Sequence, residues 1–460
     1  MSDDVDLLIS GGDIVTMNPA REVLAGGTVA VAGNRIVAVG STSELRRRWR
    51  AAEVLDTTGC VVTPGMINAH QHLGHALSRS CIPDDLVPGT SIFEWSIPLH
   101  AATGPDAEEL SATLTAADSV RNGVTTVIEA GTVAHPERIA AGMRAVGIRG
   151  TVGRWGWDIE HGPHTAPVDE TLDAQRAMLD AFPPGETVAA WVTLVGHSLA
   201  SDELLAGAAS LARDRGVGMT MHLSPTRSDP DVYLARTGRR PVCHLQDLGV
   251  LGPHLLLAHA VWLDDEEADS LLRSGTAVAY TPWAYLRLGQ GVSRHGRHAR
   301  LFREGGRIAL GCDASNAGDT VDLLRSAALA AGLAKDTEID PTWFGAADAF
   351  EMATIRGAEA IGMAAEIGSL EPGKLADVVT HDATRPEWTP RGDITLQLVW
   401  AADGRSVRDV LVDGRFVVRD FRCTTVDEAE LHISANKLSA ATFAAAGITI
   451  PHRWPVVPTS

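Results

Sequence analysis

The stretch VVTPGMINAHQH, Val61 to His72, passes from β-branched and apolar residues into two histidines one residue apart. It reads as a buried strand whose polar end carries His70 and His72. Side chains alternate along a strand, so the two imidazoles face the same way and can share one metal ion. Taken alone, the pair reads equally well as two surface or hydrogen-bonded histidines.

The same texture recurs downstream. TTVIEAG (125–131), IRGTVGRWGWD (148–158), VAAWVTLVGH (188–197), VGMTMHLS (217–224), HLLLAHAVWL (254–263), TAVAYTPW (276–283) and RIALGCDAS (307–315) are apolar runs that end on polar residues. Between most of them lie stretches with apolar residues at helical spacing, such as DELLAGAASLARDRG (202–216) and DEEADSLLRSG (265–275). Eight strands in βα alternation predict an α/β chain with a closed parallel (β/α)8 TIM barrel. A doubly wound open sheet is the alternative, because strand order is not readable from one sequence.

The two ends have a different character. DLLISGGDIVTM (6–17), GTVAVAGNRIVAVG (27–40), KLADVVTHDA (374–383) and VRDVLVDGRFVVRD (407–420) are short strands split by Gly, Asp and Asn turn signals. They predict a small β-sandwich domain assembled from residues 1–60 and 366–425, flanking a barrel over 61–365. Residues 426–460 read as a helix followed by a Pro-rich, loose tail.

Composition narrows the class of function. A chain of 460 residues with 45% hydrophobic content can build such a core. The net charge of −19 argues against nucleic acid or an anionic membrane as the main partner. Five scattered cysteines without CxxC spacing give neither a disulfide framework nor a thiolate zinc site, and suit a reducing cytosol. The acidic start, MSDDVDLLIS, does not read as a signal peptide. No apolar run approaches membrane-spanning length. The expectation is a soluble cytoplasmic protein acting on a small molecule.

His222, His259 and Asp313 each close one of the apolar runs, as His70 and His72 do. Burial disfavours such residues unless they are paired or coordinated. One of them is easily a satisfied core group, and Asp313 is a candidate cap for a helix beginning near Asp319. Several together, all at predicted C-terminal strand ends, point to a site.

In these features the chain resembles the amidohydrolase superfamily, in particular the branch of cytosine, guanine and adenosine-type deaminases and s-triazine hydrolases. The resemblance covers about residues 5 to 420. It rests on PGMINAHQHL (64–73), GVTTVIEAG (123–131), HLS at His222, LLLAHAVWL (255–263), LGCDASN (310–316) and IGSLEPGKLADVV (367–379). It implies His70, His72, His222 and Asp313 as ligands of a single Zn2+ or Fe2+. It also implies a water activated by that ion as nucleophile, with His259 beside it. The donor set suits either ion. Asp313 can accept the proton of the water, and His259 can hold the water or stabilise a developing oxyanion. Binuclear branches place a carboxylated lysine on strand four, where this chain has VTLVGHSLAS (192–201) and no lysine, so one metal is expected.

One departure is conspicuous. Family members of this branch carry H-x-x-E after strand five, whereas this chain reads His222-Leu223-Ser224-Pro225. Proline cannot shuttle a proton. Either Asp313 and His259 do all the proton work, or another acid substitutes, or turnover is lost. Glu129, Asp158 and Glu160 lie on or after strands two and three, and Asp229 is the nearest downstream acid.

Further residues are candidates for substrate contact. Trp155 and Trp157 share a face if their segment is extended, and either stack on a planar ring or fill the barrel. Trp283 and Tyr285 carry the same ambiguity. His197 ends strand four, where family members often contact substrate. Glu129 either supports a ligand histidine or serves as a cap or buried ion-pair partner. His75 and His100 fall in what reads as a long loop from Gly74 to Pro105. The basic segment GQGVSRHGRHAR (289–300) reads either as an attractor for an anionic group or as a solvated loop.

The leading reading is a mononuclear metal hydrolase acting on a C–N, or other C–X, bond of a small planar nitrogen heterocycle. A cyclic amide or amidine hydrolase, and a degenerate barrel that binds ligand without turnover, are the alternatives. The resemblance also implies a homo-oligomer.

Overall fold

Gly65 divides the opening stretch between two sheets. We describe the fold from a computed structural model, which describes residues 3–87, 90–132, 134–160 and 164–457. Cys60–Pro64 pairs with strands at the chain ends, whereas Met66–Gln71 pairs into the barrel. A Cβ at position 65 would fall 2.0 Å from Thr125 Oγ1, so the crossing admits only glycine.

The strands, in chain order, are β1 (Asp3–Val15), β2 (Val23–Ala32), β3 (Arg35–Ser41), β4 (Trp49–Asp56), β5 (Cys60–Pro64), β6 (Met66–Gln71), β7 (Val124–Glu129), β8 (Arg149–Val152), β9 (Val188–Ala190), β10 (Val192–Gly196), β11 (Met219–Leu223), β12 (Leu255–His259), β13 (Ala277–Tyr280), β14 (Ile308–Leu310), β15 (Val378–Asp382), β16 (Val407–Val412), β17 (Arg415–Arg419) and β18 (Arg422–Cys423). β6 to β14 are parallel and run in sequence order, with β9 and β10 as two halves of one strand interrupted at Trp191. The ring closes where the Cys312 and Asp313 amides donate to the His70 carbonyl, at 3.2 and 2.9 Å. A closed parallel ring with helices outside buries both faces of its strands. Every residue of β6, β7, β11 and β12 is accordingly buried.

The chain ends hydrogen-bond into one nine-stranded sheet, in the order β18-β17-β16-β15-β5-β1-β2-β3, with β4 as the ninth strand against β1. Ile9, Ile14, Val29, Val31, Ile36, Val62, Val378 and Leu411 share one core, so neither end can bury its apolar face alone. The hairpin between β16 and β17 turns at Asp413-Gly414, both with positive φ, the backbone that this dipeptide favours. Arg149, at the start of β8, ties the barrel to this sheet through Asp377 (3.2 Å) and Asp413 (3.4 Å).

The tail helix, Glu428–Ala445, packs on the helix Pro105–Arg121, and Arg121 pairs with Glu428 at 3.0 Å. Two local expectations change. The segment from Gly74 to Pro105 is not a plain loop: it holds helical turns at Leu73–Ser78, Ser91–Ser96 and Ile97–Ala102. The helix expected near Asp319 starts at Leu323 under an Asp322 cap, which leaves Asp313 without a capping role there. Among the described residues no helix is long and apolar enough to cross a membrane.

Candidate metal centre

Five ionisable side chains converge at the C-terminal rim of the barrel, the end where such folds carry their chemistry. His70 is the penultimate residue of β6 and His72 stands just past its end; His222 lies in β11, His259 closes β12, and Asp313 stands just past β14. All five are buried. The Nε2 atoms of His72 and His222 lie 3.2 Å apart. Two nitrogens on one tetrahedral ion, with bonds of about 2.0–2.1 Å, would be separated by about 3.3 Å. Asp313 Oδ1 is 3.7 Å from His70 Nε2 and 3.6 Å from His72 Nε2. Asp313 Oδ2 faces His259 Nδ1 at 4.0 Å. The ligand atoms of His70, His72 and His222 lie within 4.8 Å of one another, as do those of His70, His259 and Asp313.

The donor set fits a divalent cation. Among the described residues, both ring nitrogens of His70 and the Nδ1 atoms of His72 and His259 are buried without a hydrogen-bond partner, a costly state unless a ligand fills it. His222 donates Nδ1–H to the Val195 carbonyl at 2.7 Å, which leaves Nε2 bare and aimed inward. Burial, reinforced by the neighbouring histidines, pushes His72 and His222 well below the ordinary imidazole pKa. Burial likewise takes His259 to about 3. These rings are therefore neutral, the form that coordinates metal. Burial pushes the Asp313 carboxyl up, but the facing histidines, His70 foremost, more than reverse this and hold it well below the usual range.

The rim is built on strained turns. His197, Ser224, His259, Ala260 and Asp313 all have φ between +51° and +77°. Left-handed backbone at residues other than glycine costs on the order of 1 kcal/mol or more each and clusters at functional sites. Hydrogen bonds hold these turns. The Ala314 amide donates to Asp313 Oδ1 at 2.6 Å, the Ser224 amide to Asp229 Oδ2 at 2.7 Å, and His298 Nε2–H to the His259 carbonyl at 2.6 Å.

Of the aromatic candidates, Trp155 reaches this cluster. Its half-buried ring lies edge-on to His72 at 5.4 Å and His222 at 6.0 Å, fixed by Nε1–H donating to the Ala130 carbonyl at 2.6 Å. His75 stacks on His72 at 4.9 Å, and His100 lies parallel to Trp155 at 6.0 Å, so both flank the rim. Trp157 has different surroundings: it is buried beyond the end of β8, and its Nε1–H donates to Thr165 Oγ1 at 3.1 Å. Trp283 packs under the Arg325 guanidinium at 4.3 Å, and no described ring contact joins it to the histidines. Tyr285 touches His259 edge-on at 5.7 Å.

His197 stacks on His222 at 5.4 Å, and its Nδ1 lies 2.9 Å from Asp229 Oδ2. Burial opposes charge on the ring, but the Asp229 carboxylate outweighs it and raises the His197 pKa. Glu129 accepts from the Gly131 amide at 2.7 Å, and burial pushes it up to about 8. Its carboxyl supports a turn through that amide, and among the described residues its Oε1 has no hydrogen-bond partner and no side-chain contact links it to a ligand histidine. Asp158 accepts the Ser201 amide at 2.7 Å, and Glu160 is exposed. In the basic segment, Arg297 and Arg300 pair with Asp265 at 3.1 and 2.8 Å, while His298 is buried. Asp229 and His298 are the residues whose sequence context least revealed their place at the rim. Asp229 carried only its nearness to Pro225 as a signal, and His298 was indistinguishable from its cationic neighbours.

Comparison with known proteins agrees with this architecture. A match to the amidohydrolase family spans residues 61–417, and a short match to the imidazolonepropionase-like composite domain of bacteria spans 29–52. The chain is 32% identical over 434 residues to a 5-methylthioadenosine/S-adenosylhomocysteine deaminase of Syntrophobacter fumaroxidans, covering 94% of this chain and 97% of that one. It is 31% identical to a 5'-deoxyadenosine deaminase of Methanothermobacter thermautotrophicus, over 93% and 96% of the two chains. Among solved structures, a zinc-bound adenosine deaminase from Xanthomonas campestris superposes with a TM-score of 0.92 at 27% identity, over 96% of this chain and all of that one. The zinc complex of an Arthrobacter aurescens atrazine chlorohydrolase shares the fold, with a TM-score of 0.87 at 23% identity over 94% and 100% of the chains. On the extent of these matches, the chain belongs to the amidohydrolase family, and the relatives it matches are deaminases, hydrolases of C–N bonds.

Proposed function

We propose that His70, His72, His222 and Asp313 hold one Zn2+ ion, with Fe2+ as the alternative, and that the chain hydrolytically removes the ring amino group of adenosine-like nucleosides. The observation that carries this reading is the 3.2 Å approach of two buried, neutral imidazole nitrogens beside an ionised carboxylate. The deaminase relatives support the substrate class. A bound divalent ion supplies Lewis acidity that lets water act as a nucleophile near neutral pH.

The chain's own groups do the rest. Asp313, kept ionised by the histidines around it, accepts a proton from the attacking water at its carboxylate oxygens. His259, neutral and 4.0 Å from Asp313 Oδ2, orients that water or the oxygen developing negative charge. Trp155 walls the site with a flat apolar face suited to a purine ring. Pro225 supplies no acid. The pair nearest that gap is His197 with Asp229, whose carboxylate also anchors the Ser224 amide, and this pair contacts the base or sugar of the substrate.

Pro225 also favours a second reading, a barrel that binds such nucleosides without turnover. Ammonia release from adenosine, 5'-deoxyadenosine, 5'-methylthioadenosine and S-adenosylhomocysteine by zinc-loaded protein separates the two. Release that disappears in Asp313→Ala supports the deaminase. Bound ligand and one metal per chain without ammonia overturns it in favour of the binder.

A further inference from the structure

The carbonyl of His259 is held from outside its own strand. β12 ends there, and His259 (φ +77°) and Ala260 (φ +51°) are consecutive left-handed residues without a glycine. Such a turn needs external support to persist. The Ala260 amide donates to the Leu223 carbonyl at 2.9 Å, while the His259 carbonyl accepts from His298 Nε2 at 2.6 Å and, more weakly, from the Tyr285 hydroxyl at 3.4 Å.

His298 is well placed for this contact. Its ring stacks on Tyr280, the last residue of β13, at 4.1 Å and 11°. Its Nδ1 is buried without a partner among the described residues, and burial lowers its pKa to about 4, so the ring is neutral with the proton on Nε2. Arg297 and Arg300 on either side anchor the segment to the helix Asp265–Ser274 that follows β12. Arg297 and Arg300 are thereby spent on acidic partners of the same chain, and the one histidine the segment buries faces the rim.

We propose that His298 is a positioning residue: its Nε2–H bond to the His259 carbonyl sets the turn that aims the His259 imidazole at Asp313. The consequence for turnover rests on the proposed role of His259; the clamp itself does not. A displacement of about 1 Å in such a group costs about 10²-fold in rate.

The test pairs His298→Phe, which keeps the stacked ring and removes the donor, with His298→Gln, which restores a donor nitrogen. Steady-state deamination, metal content and amide hydrogen exchange of residues 255–263 are measured on the zinc-loaded protein. His298→Phe is expected to lower kcat by about 10- to 100-fold, with KM within about twofold, one metal retained, and faster exchange at Ala260 and Val261. His298→Gln is expected to recover most of both. Unchanged exchange in His298→Phe overturns the clamp, and unchanged kcat with faster exchange overturns its role in positioning. Equal losses in both variants, with metal lost, also overturn it, since that pattern marks general damage to packing. If the wild type shows no turnover, the functional reading fails while exchange still decides whether the clamp exists.

Discussion

The two ends of the barrel treat buried polarity in opposite ways. At the base, Arg149 meets Asp377 and Asp413, and Arg307 donates to the carbonyls of Pro253, Gly275, Glu359 and Ala360. At the rim, His70, His72 and His259 keep ring nitrogens buried without partners. A fold that pairs its cations at one end and leaves imidazoles bare at the other reserves the second end for a ligand. Stability is concentrated at the base, and the rim carries strained turns for the sake of chemistry.

That contrast breaks most readily at the ligands. His70→Ala or Asp313→Ala should lower metal-dependent turnover by at least about 10³-fold while the circular dichroism of a folded barrel is kept. Retained turnover in either would end the rim assignment. Arg149→Ala should do the reverse. It leaves Asp377 buried and unpaired, a loss of about 3–5 kcal/mol read as a lower Tm, with kcat of the folded fraction unchanged. A fall in kcat without a change in Tm would show that base and rim are not separable.

Glu129 sharpens the comparison through pH. Its folded pKa of about 8 lies above its unfolded value, about 4.3, so folding takes up a proton between these limits. The neutral form is compatible with the fold, and stability should fall by about 1.4 kcal/mol per pH unit as pH rises through that window. Glu129→Gln should remove that slope, so its Tm advantage over the wild type grows from pH 5 to pH 8. Parallel curves would mean that Glu129 is ionised in the folded protein.

Asp229→Asn should reduce kcat/KM about tenfold, because His197 loses the carboxylate that fixes its ring. The smallest effect is expected for Trp155→Phe, a rise in KM of a few-fold that keeps a flat wall and removes the Nε1–H bond to Ala130. A larger effect on kcat than on KM would place the indole nearer the reacting atoms.

Much of this architecture was legible before any coordinates. Apolar runs ending on His70, His222, His259 and Asp313 mark strands whose faces are buried along their length and whose ends are not apolar, a pattern carried by local order alone. The Pro64-Gly65 dipeptide is a turn signal inside VVTPGMI, but that its two halves join different sheets was not legible, because it depends on pairing with distant strands. Trp155 and Trp157 were indistinguishable as letters, because contact with His72 and His222, which Trp155 makes, is set by strands distant in sequence.

The sequence by itself determined the strand-and-helix alternation, the β character of both ends and the residue types able to bind a metal. Those properties follow from side-chain polarity and backbone preference within a few residues. Tertiary structure alone decided that His197 meets Asp229, that burial raises the Glu129 carboxyl and that His298 grips His259. Each of these depends on the distance and shared burial of groups brought together by different strands, and no local pattern encodes that distance.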